Sequence, residues 1–563
     1  MRLAFAFVLS LFTASAGWAE PQHLPAKGHA MVDAANPAAV DSGLKILKAG
    51  GSAIDAAVAV QATLGLVEPQ SSGIGGGAFL VFYDARTRKV TAYDGRETAP
   101  AAATASLFQH TDGTNMAFAE AVLSGHSAGV PGAVAMLAMA QKDHGLRPWA
   151  SLFTDSERLA EEGFTVGPRL AGLVASNAPQ AKAKDVVAYF SRPDGTPIKA
   201  GDVIKNLAYA DTLRRIGAQG PAGLLAGKVA ADIVHRLGED PLPGGMTLAD
   251  LAAYQPHRSE ALCRAYRQWT VCEPQAPSGG PATLEGLGLL ARTDINKRGP
   301  TDPTAWLQLA QAERLMYADD QRYLADPAFV KAPVEGLLDG GYLDARAKLI
   351  TNNAGPAPSF GLPKGAPHVG PDATHEPGGT SSFVIVDAFG NVVCMTTTVE
   401  SLFGDGRMVD GFLLNNQLTD SSFSPKDKDG TPAANAVGPG KRPRSSMSPT
   451  IILDHTGRFV MAVGSPGGLA IPAYVLKAVV GVMDWKLSMQ QAIDLPNLVA
   501  IGDFMFGETG KFAPGVVQGL SDHGVTLHTG FGAEGSGLHG VMIRDGFLEG
   551  GADTRREGVA RGY

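Results

Sequence analysis

Cysteine is scarce in this chain and histidine is scattered: 3 Cys and 13 His occur among 563 residues. There is no His-Glu-x-x-His and no paired Cys-x-x-Cys, so nothing has the spacing of a zinc site, and neither metal nor cofactor is expected. Positive charge is not in excess: 47 Lys and Arg face 55 Asp and Glu, a net −8. That removes the electrostatic case for nucleic acid or an anionic membrane surface as a partner. No segment reaches the roughly eighteen consecutive apolar residues of a membrane span, so stable membrane insertion is not expected. A dinucleotide turn is also missing. The glycine cluster Ser72-Gly73-Ile74-Gly75-Gly76-Gly77 follows a helical pattern and precedes the strand-like Phe79–Tyr83, whereas such a turn needs strand, glycines, then helix.

What is abundant is apolar residue, glycine and proline. The chain is 45% hydrophobic, enough for a sizeable core, and holds 70 Gly and 37 Pro, which implies many turns and close backbone approaches. Met1-Arg2, the uncharged apolar run Leu3–Leu11 and the small residues up to Ala19 read as a signal peptide cut after Ala19 or Ala16. A periplasmic or secreted protein follows as an expectation. Export gives the cysteines a second reading. Cys263 to Cys272 alternates like two strands around a tight turn, so a disulfide and two unpaired core thiols both stay open. Cys394, inside Val392-Val393-Cys394-Met395, reads as a buried small hydrophobe on a strand.

Local signals place several elements. Asn36-Pro37 is an N-cap followed by a proline suited to the first helical position, and Val40, Leu44 and Leu47 recur at helical spacing until Gly50-Gly51. Ser52 caps a second apolar helix that must end before Pro69. Residues 354–379 carry six Pro and six Gly and read as an exposed, mobile segment. It abuts a predicted hairpin: Thr380–Asp387, a turn at Gly390-Asn391, and a second strand through Thr398. Threonine at a strand start is compatible with β-propensity alone.

Two nucleophiles compete. Gly125-His126-Ser127-Ala128-Gly129 matches the G-x-S-x-G elbow, but residues 116–124 read only weakly as the strand it requires, and Pro131-Gly132 stand where its helix should begin. Thr380 offers another route. If the chain is cut at Gly379–Thr380, the hydroxyl is the nucleophile and the freed α-amine the base. Gly464-Ser465-Pro466-Gly467-Gly468 can supply backbone N–H groups for an oxyanion hole. Ser445 and Ser446, flanked by Arg442 and Arg444, can supply donors to a carboxylate.

These segments resemble the gamma-glutamyltransferases, a family of N-terminal-nucleophile hydrolases. The resemblance runs in order through Glu68-Pro69 with the glycine cluster, Gly95-Arg96-Glu97-Thr98-Ala99-Pro100, Gly129-Val130-Pro131-Gly132 and Pro277-Ser278-Gly279-Gly280. It continues through Gly379-Thr380, Leu414-Asn415-Asn416-Gln417, Lys441–Pro449 and Gly464–Gly468. It implies an α+β fold, the four-layer αββα sandwich, made of one intertwined unit. A large subunit, 20–379, and a small catalytic subunit, 380–563, would arise by self-cleavage at Gly379–Thr380.

It further implies Thr380 as nucleophile, Thr398 as the threonine that hydrogen-bonds it, and Gly467 and Gly468 as oxyanion hole. Arg96, Ser445 and Ser446 would hold the α-carboxylate of a γ-glutamyl group, with Gln417 and Asp420 around its α-amino group. The implied substrates are glutathione and other γ-glutamyl compounds, with water, amino acids or dipeptides as acceptors. Two features depart from the family pattern. Glu400 stands where well-known members carry Asn or a similar neutral residue near the α-amino group. The segment after Asp420 is short, and from Ser424 to Val437 has no aromatic residue. Both bear on the acyl donor, so a cephalosporin (glutaryl) acylase of the same family stands as an alternative; a serine hydrolase using Ser127 and an inactive binding protein on an enzyme scaffold are further ones.

Overall fold

The computed structural model describes residues 23–372, 374, 376–529 and 535–563; the signal segment expected over residues 1–19 lies outside them. The first two helices form as their ends dictate. In α1 (Pro37–Lys48) the Asn36 side chain accepts the Ala38 N–H at 2.9 Å. In α2 (Ala53–Val67) Ser52 and Asp55 cap each other reciprocally at 3.1 and 3.0 Å. Every residue of α2 is buried, which suits a helix with no polar face.

Two seven-stranded sheets carry the fold. Numbered along the chain, their strands begin with β1 (His23–Pro25), β2 (Met31–Ala34), β3 (Gly77–Asp84), β4 (Lys89–Asp94), β5 (His257–Glu260), β6 (Leu262–Tyr266) and β7 (Trp269–Glu273). They continue with β8 (Thr380–Val386), β9 (Val392–Thr398), β10 (Thr450–Leu453), β11 (Phe459–Gly464), β12 (His539–Arg544), β13 (Phe547–Ala552) and β14 (Val559–Gly562). One sheet runs β14-β2-β8-β9-β3-β4-β5, and the other β1-β13-β12-β11-β10-β7-β6.

Side-chain alternation explains the stacking. On β8, Phe383 and Ile385 join a core with α1, α2 and α3 (Ala133–His144), while Val384 and Val386 face the opposite way. There they meet Ile451, Ala462 and Val541 of the second sheet. The far side of that sheet packs on α4 (Gly280–Leu290), α5 (Pro303–Tyr323) and α6 (Ile471–Val479). The result is an α+β sandwich of four layers, helix–sheet–sheet–helix. Cys394 belongs to the inter-sheet core, where burial pushes its thiol well above the ordinary range. Cys263 and Cys272 face each other on β6 and β7 and are bonded, S–S 2.05 Å.

Two expectations need correction. Residues 116–124 hold a short helix, Phe118–Val122, and no strand. The proline- and glycine-rich segment is not exposed throughout: Ala354, Val369, Asp372, Thr374 and Glu376 are buried. Polar bonds substitute for the apolar side chains it lacks. Arg314 donates to the Ala354 carbonyl, Arg346 to Ser359, and the Gly370 N–H to Pro432.

Candidate active site

The hairpin β8–β9 sets the site. Its turn is fixed by Asp387, whose carboxylate accepts the N–H groups of Phe389, Asn391 and, from the start of α2, Ala53 at 2.9–3.0 Å. The resulting register places Thr380 opposite Thr398 and Thr398 opposite Gly77. Both threonines are buried at the strand ends. Thr380 Oγ1 donates to Thr398 Oγ1 at 3.1 Å, and Thr398 Oγ1 donates to the Gly379 carbonyl oxygen at 3.0 Å. The Glu400 N–H, 2.7 Å away, donates to Thr398 Oγ1 and fixes that hydroxyl's direction. Arg556 Nη1 donates to the Thr380 carbonyl at 3.0 Å, holding the strand from its other side.

Around Thr380 lies a cleft lined by Arg96, Glu376, Thr398, Glu400, Gln417, Asp420, Ser445, Ser446 and Gly468. Nine residues expected at the site, Thr380 included, therefore converge. Gly467 stands next to Gly468, and its φ of +140° is one that L side chains rarely adopt. A β-carbon there would also press on the Tyr474 ring at 2.6 Å. Only about 20 Å³ of the cleft is open, room for about one water.

The polar side chains divide into two groups. In the first, Asp420 accepts from Arg96 Nη2 and Gln417 Nε2, both at 2.6 Å. Arg96 also donates from Nε to the Pro443 carbonyl at 3.1 Å and from Nη2 to the Arg444 carbonyl. Its guanidinium thus supports Asp420 and the 443–444 backbone in the uncut chain. Burial pushes Asp420 up to about 6, against the pull of Arg96. Burial pushes Glu400 well above the usual carboxylate range, and the neighbouring Asp420 adds to the effect. Ser401 and Asn416 donate to Glu400 Oε2. Burial and Asp420 thus both favour the protonated form of Glu400, whereas Arg96 favours the ionised form of Asp420.

In the second group, Ser446 Oγ donates to Glu376 Oε2 at 2.6 Å and Arg444 Nη2 to Glu376 Oε1 at 2.8 Å. Ser445 Oγ accepts the Met447 N–H at 3.2 Å. Glu376, Asn416 and Arg556 were not singled out from sequence. A lone acid in a glycine- and proline-rich stretch four residues before Thr380 is a signal that could have marked Glu376. Asn416 lies within the quoted Leu414–Gln417 motif, which marks the segment but not that residue's role, and Arg556 carries no mark. The rival nucleophile is occupied elsewhere: Ser127 Oγ is buried and directs its proton at the carbonyls of Val122 and Ser124, 2.9 and 2.8 Å away.

Relatives are plentiful. The glutathione hydrolase proenzyme of Bacillus subtilis (strain 168) is 34% identical over 551 residues, spanning 94% of this chain and 91% of the relative. The acylase ACY 1 proenzyme of Pseudomonas sp. (strain SE83) is 32% identical over 552 residues, spanning 95% and 94%. Among solved structures, a cephalosporin acylase from Bacillus halodurans superposes with a TM-score of 0.84 at 25% identity, covering 99% of both chains. The sequence pattern described as gamma-glutamyltranspeptidase matches residues 39–563. On this evidence the chain belongs to the gamma-glutamyltranspeptidase family, whose members are enzymes of the N-terminal-nucleophile type.

Proposed function

We propose that the chain is a self-processing enzyme that cleaves γ-glutamyl amide bonds, of glutathione among others, through an acyl-enzyme on Thr380. The observation that carries this reading is the hydroxyl chain from Thr380 through Thr398 to the Gly379 carbonyl. In maturation, Thr380 Oγ1 bonds to the Gly379 carbonyl carbon while its proton passes by way of Thr398 to the carbonyl oxygen. Collapse re-forms the carbonyl, passes that proton to the Thr380 nitrogen, breaks the Gly379–Thr380 C–N bond and leaves an ester. Water then hydrolyses that ester, giving a Gly379 carboxylate and a Thr380 with free hydroxyl and free α-amine.

The same hydroxyl next attacks the γ-carbonyl of a donor, with the α-amine taking its proton. The α-amine hands that proton to the departing amine as the γ C–N bond breaks, leaving a γ-glutamyl ester on Thr380 that water or an acceptor amine then cleaves. Gly467 and Gly468 are assigned to the oxyanion, and Asp420 with Gln417 to the donor's ammonium. The donor's α-carboxylate is assigned to Ser445, Ser446 and Arg96. Residues 20–379 would then be the large subunit and 380–563 the small one. Water, amino acids or dipeptides would take the acyl group, and export to the periplasm or medium would place the enzyme. Among the described residues no helix is long and apolar enough to cross a membrane.

Glutaryl acylase chemistry is the second reading, favoured by the acylases among the relatives. Asp420 and Gln417 speak against it, because a glutaryl group brings no ammonium for them to meet and leaves Asp420 with Arg96 alone as counter-charge. Side-by-side hydrolysis of γ-glutamyl and glutaryl anilides tests the choice, with a denaturing gel and N-terminal sequencing of the same preparation. Two bands, the smaller starting at Thr380, and faster release from the γ-glutamyl compound are expected. A single full-length band from active protein overturns the nucleophile assignment, and a glutaryl preference overturns the donor assignment.

A further inference from the structure

The segment before the scissile bond does more than lead into it. Its Glu376 carboxylate lies between the Ser446 hydroxyl and the Arg444 guanidinium, two donors aimed at two oxygens. The Glu376 carbonyl also accepts the Leu469 N–H at 3.2 Å, so the backbone lies across the turn that contains Gly467 and Gly468. A β-carbon on Gly468 would overlap the carbonyl oxygen of Glu376. One short stretch, Glu376-Pro377, thereby fills a carboxylate pocket and covers the candidate oxyanion turn together, leaving the 20 Å³ remnant beside Thr380.

Arg444 does not depend on Glu376 for charge balance. Its Nη1 lies 3.3 Å from Asp320 Oδ2 and 3.6 Å from Asp372 Oδ2. When Glu376 leaves, no buried guanidinium is stranded, so the step avoids the large penalty of an unpaired interior charge. What is uncovered is the Arg444 Nη2 donor beside the Ser446 hydroxyl, two donors set for the two oxygens of a planar carboxylate.

We propose that Glu376 is an internal stand-in for the donor's α-carboxylate, and that Arg444 with Ser446 forms the subsite it marks. The uncut chain and a bound donor therefore exclude each other. The inference rests on the γ-glutamyl reading and adds Arg444 as a positioning residue for the donor. Cleavage is then what opens the site: it frees the end of the large subunit, and Glu376 can withdraw.

The test uses L-glutamate, which carries both the α-carboxylate and the α-amine. Its affinity is measured as competitive inhibition of processed wild type, and by calorimetry on uncut Thr380→Ala and uncut Thr380→Ala/Glu376→Ala. Binding to the uncut single variant is expected to be at least tenfold weaker than to processed enzyme, with the double variant recovering at least fivefold. Isoglutamine, whose α-carboxylate is an amide, should gain nothing from the second change. Equal affinity of the uncut and processed forms overturns mutual exclusion. No recovery in the double variant overturns the role of Glu376, since loss of the threonine hydroxyl cannot be repaired at position 376. Glu376→Gln, which preserves volume, serves in place of alanine if melting shows the double variant unfolded. Failure of processed wild type to hydrolyse any γ-glutamyl anilide is a separate result, and counts against the proposed function instead.

Discussion

Asp420 and Glu400 are both buried carboxylic acids, yet their neighbours give them opposite duties. Arg96 keeps Asp420 ionisable, with its pKa near 6, whereas burial and Asp420 itself push Glu400 toward its protonated form. Asp420→Asn should therefore raise KM for γ-glutamyl anilide strongly, by about a hundredfold or about 2.7 kcal/mol. Glu400→Gln, which keeps the size and the hydrogen-bonding capacity of the protonated acid that burial favours, should change KM less than about threefold. The pH dependence follows with a definite sign. Below about 6 Asp420 takes up a proton and the donor's ammonium loses its counter-charge. kcat/KM for γ-glutamyl donors should fall as pH drops through that value, and a glutaryl donor should lack that limb. A pH profile on both donors reads this directly.

Ser127 supplies the contrasting case at the same scale. Its hydroxyl satisfies backbone carbonyls, so Ser127→Ala should cost about 1 kcal/mol of stability and leave processing and turnover within a few-fold. Thr380→Ala should abolish both, as a denaturing gel and an anilide assay will show. A fully active Thr380→Ala enzyme would reverse the assignment.

Among the elements, the β8–β9 hairpin was legible because its code is local. Alternating apolar residues, an Asp-x-x-Gly-Asn turn and threonines at both strand ends specify it without reference to the rest of the chain. The caps of α1 and α2 were legible for the same reason. The stretch 354–379 was not. Composition reports how much apolar surface a segment can bury, but says nothing of guanidinium groups that preceding helices supply to its carbonyls. The charge state of Glu400 was hidden likewise, because it depends on burial and on Asp420 across a fold. Gly76 shows how closely elements meet here. A methyl on it would overlap the backbone carbonyl oxygen of Thr398, which cannot turn away as a side chain could. Gly76→Ala should displace the end of β9 and slow self-cleavage at least tenfold, since misplacement by about an ångström can cost a hundredfold. Time-resolved gels of the purified precursor measure it.

At the scale of the whole molecule, little of the pairing could be read without the family resemblance. β2 pairs with β8 and β14, hundreds of residues downstream, and no periodicity announces such partners. The same sheet order decides how a cut chain behaves. β8 lies between β2 and β9, and the second sheet interleaves β1, β6 and β7 with strands from beyond residue 380. The two pieces should therefore co-elute on gel filtration without denaturant while separating on a denaturing gel.

That interleaving also changes the kinetic order of folding. The precursor brings its strands together within one molecule, at a rate independent of concentration. After the cut, denatured pieces must first find each other, so renaturation becomes second order and its yield falls on dilution. The processed enzyme is thus a product of its own history: assembled once as a single chain, and held afterwards in a state its separated halves regain only by collision.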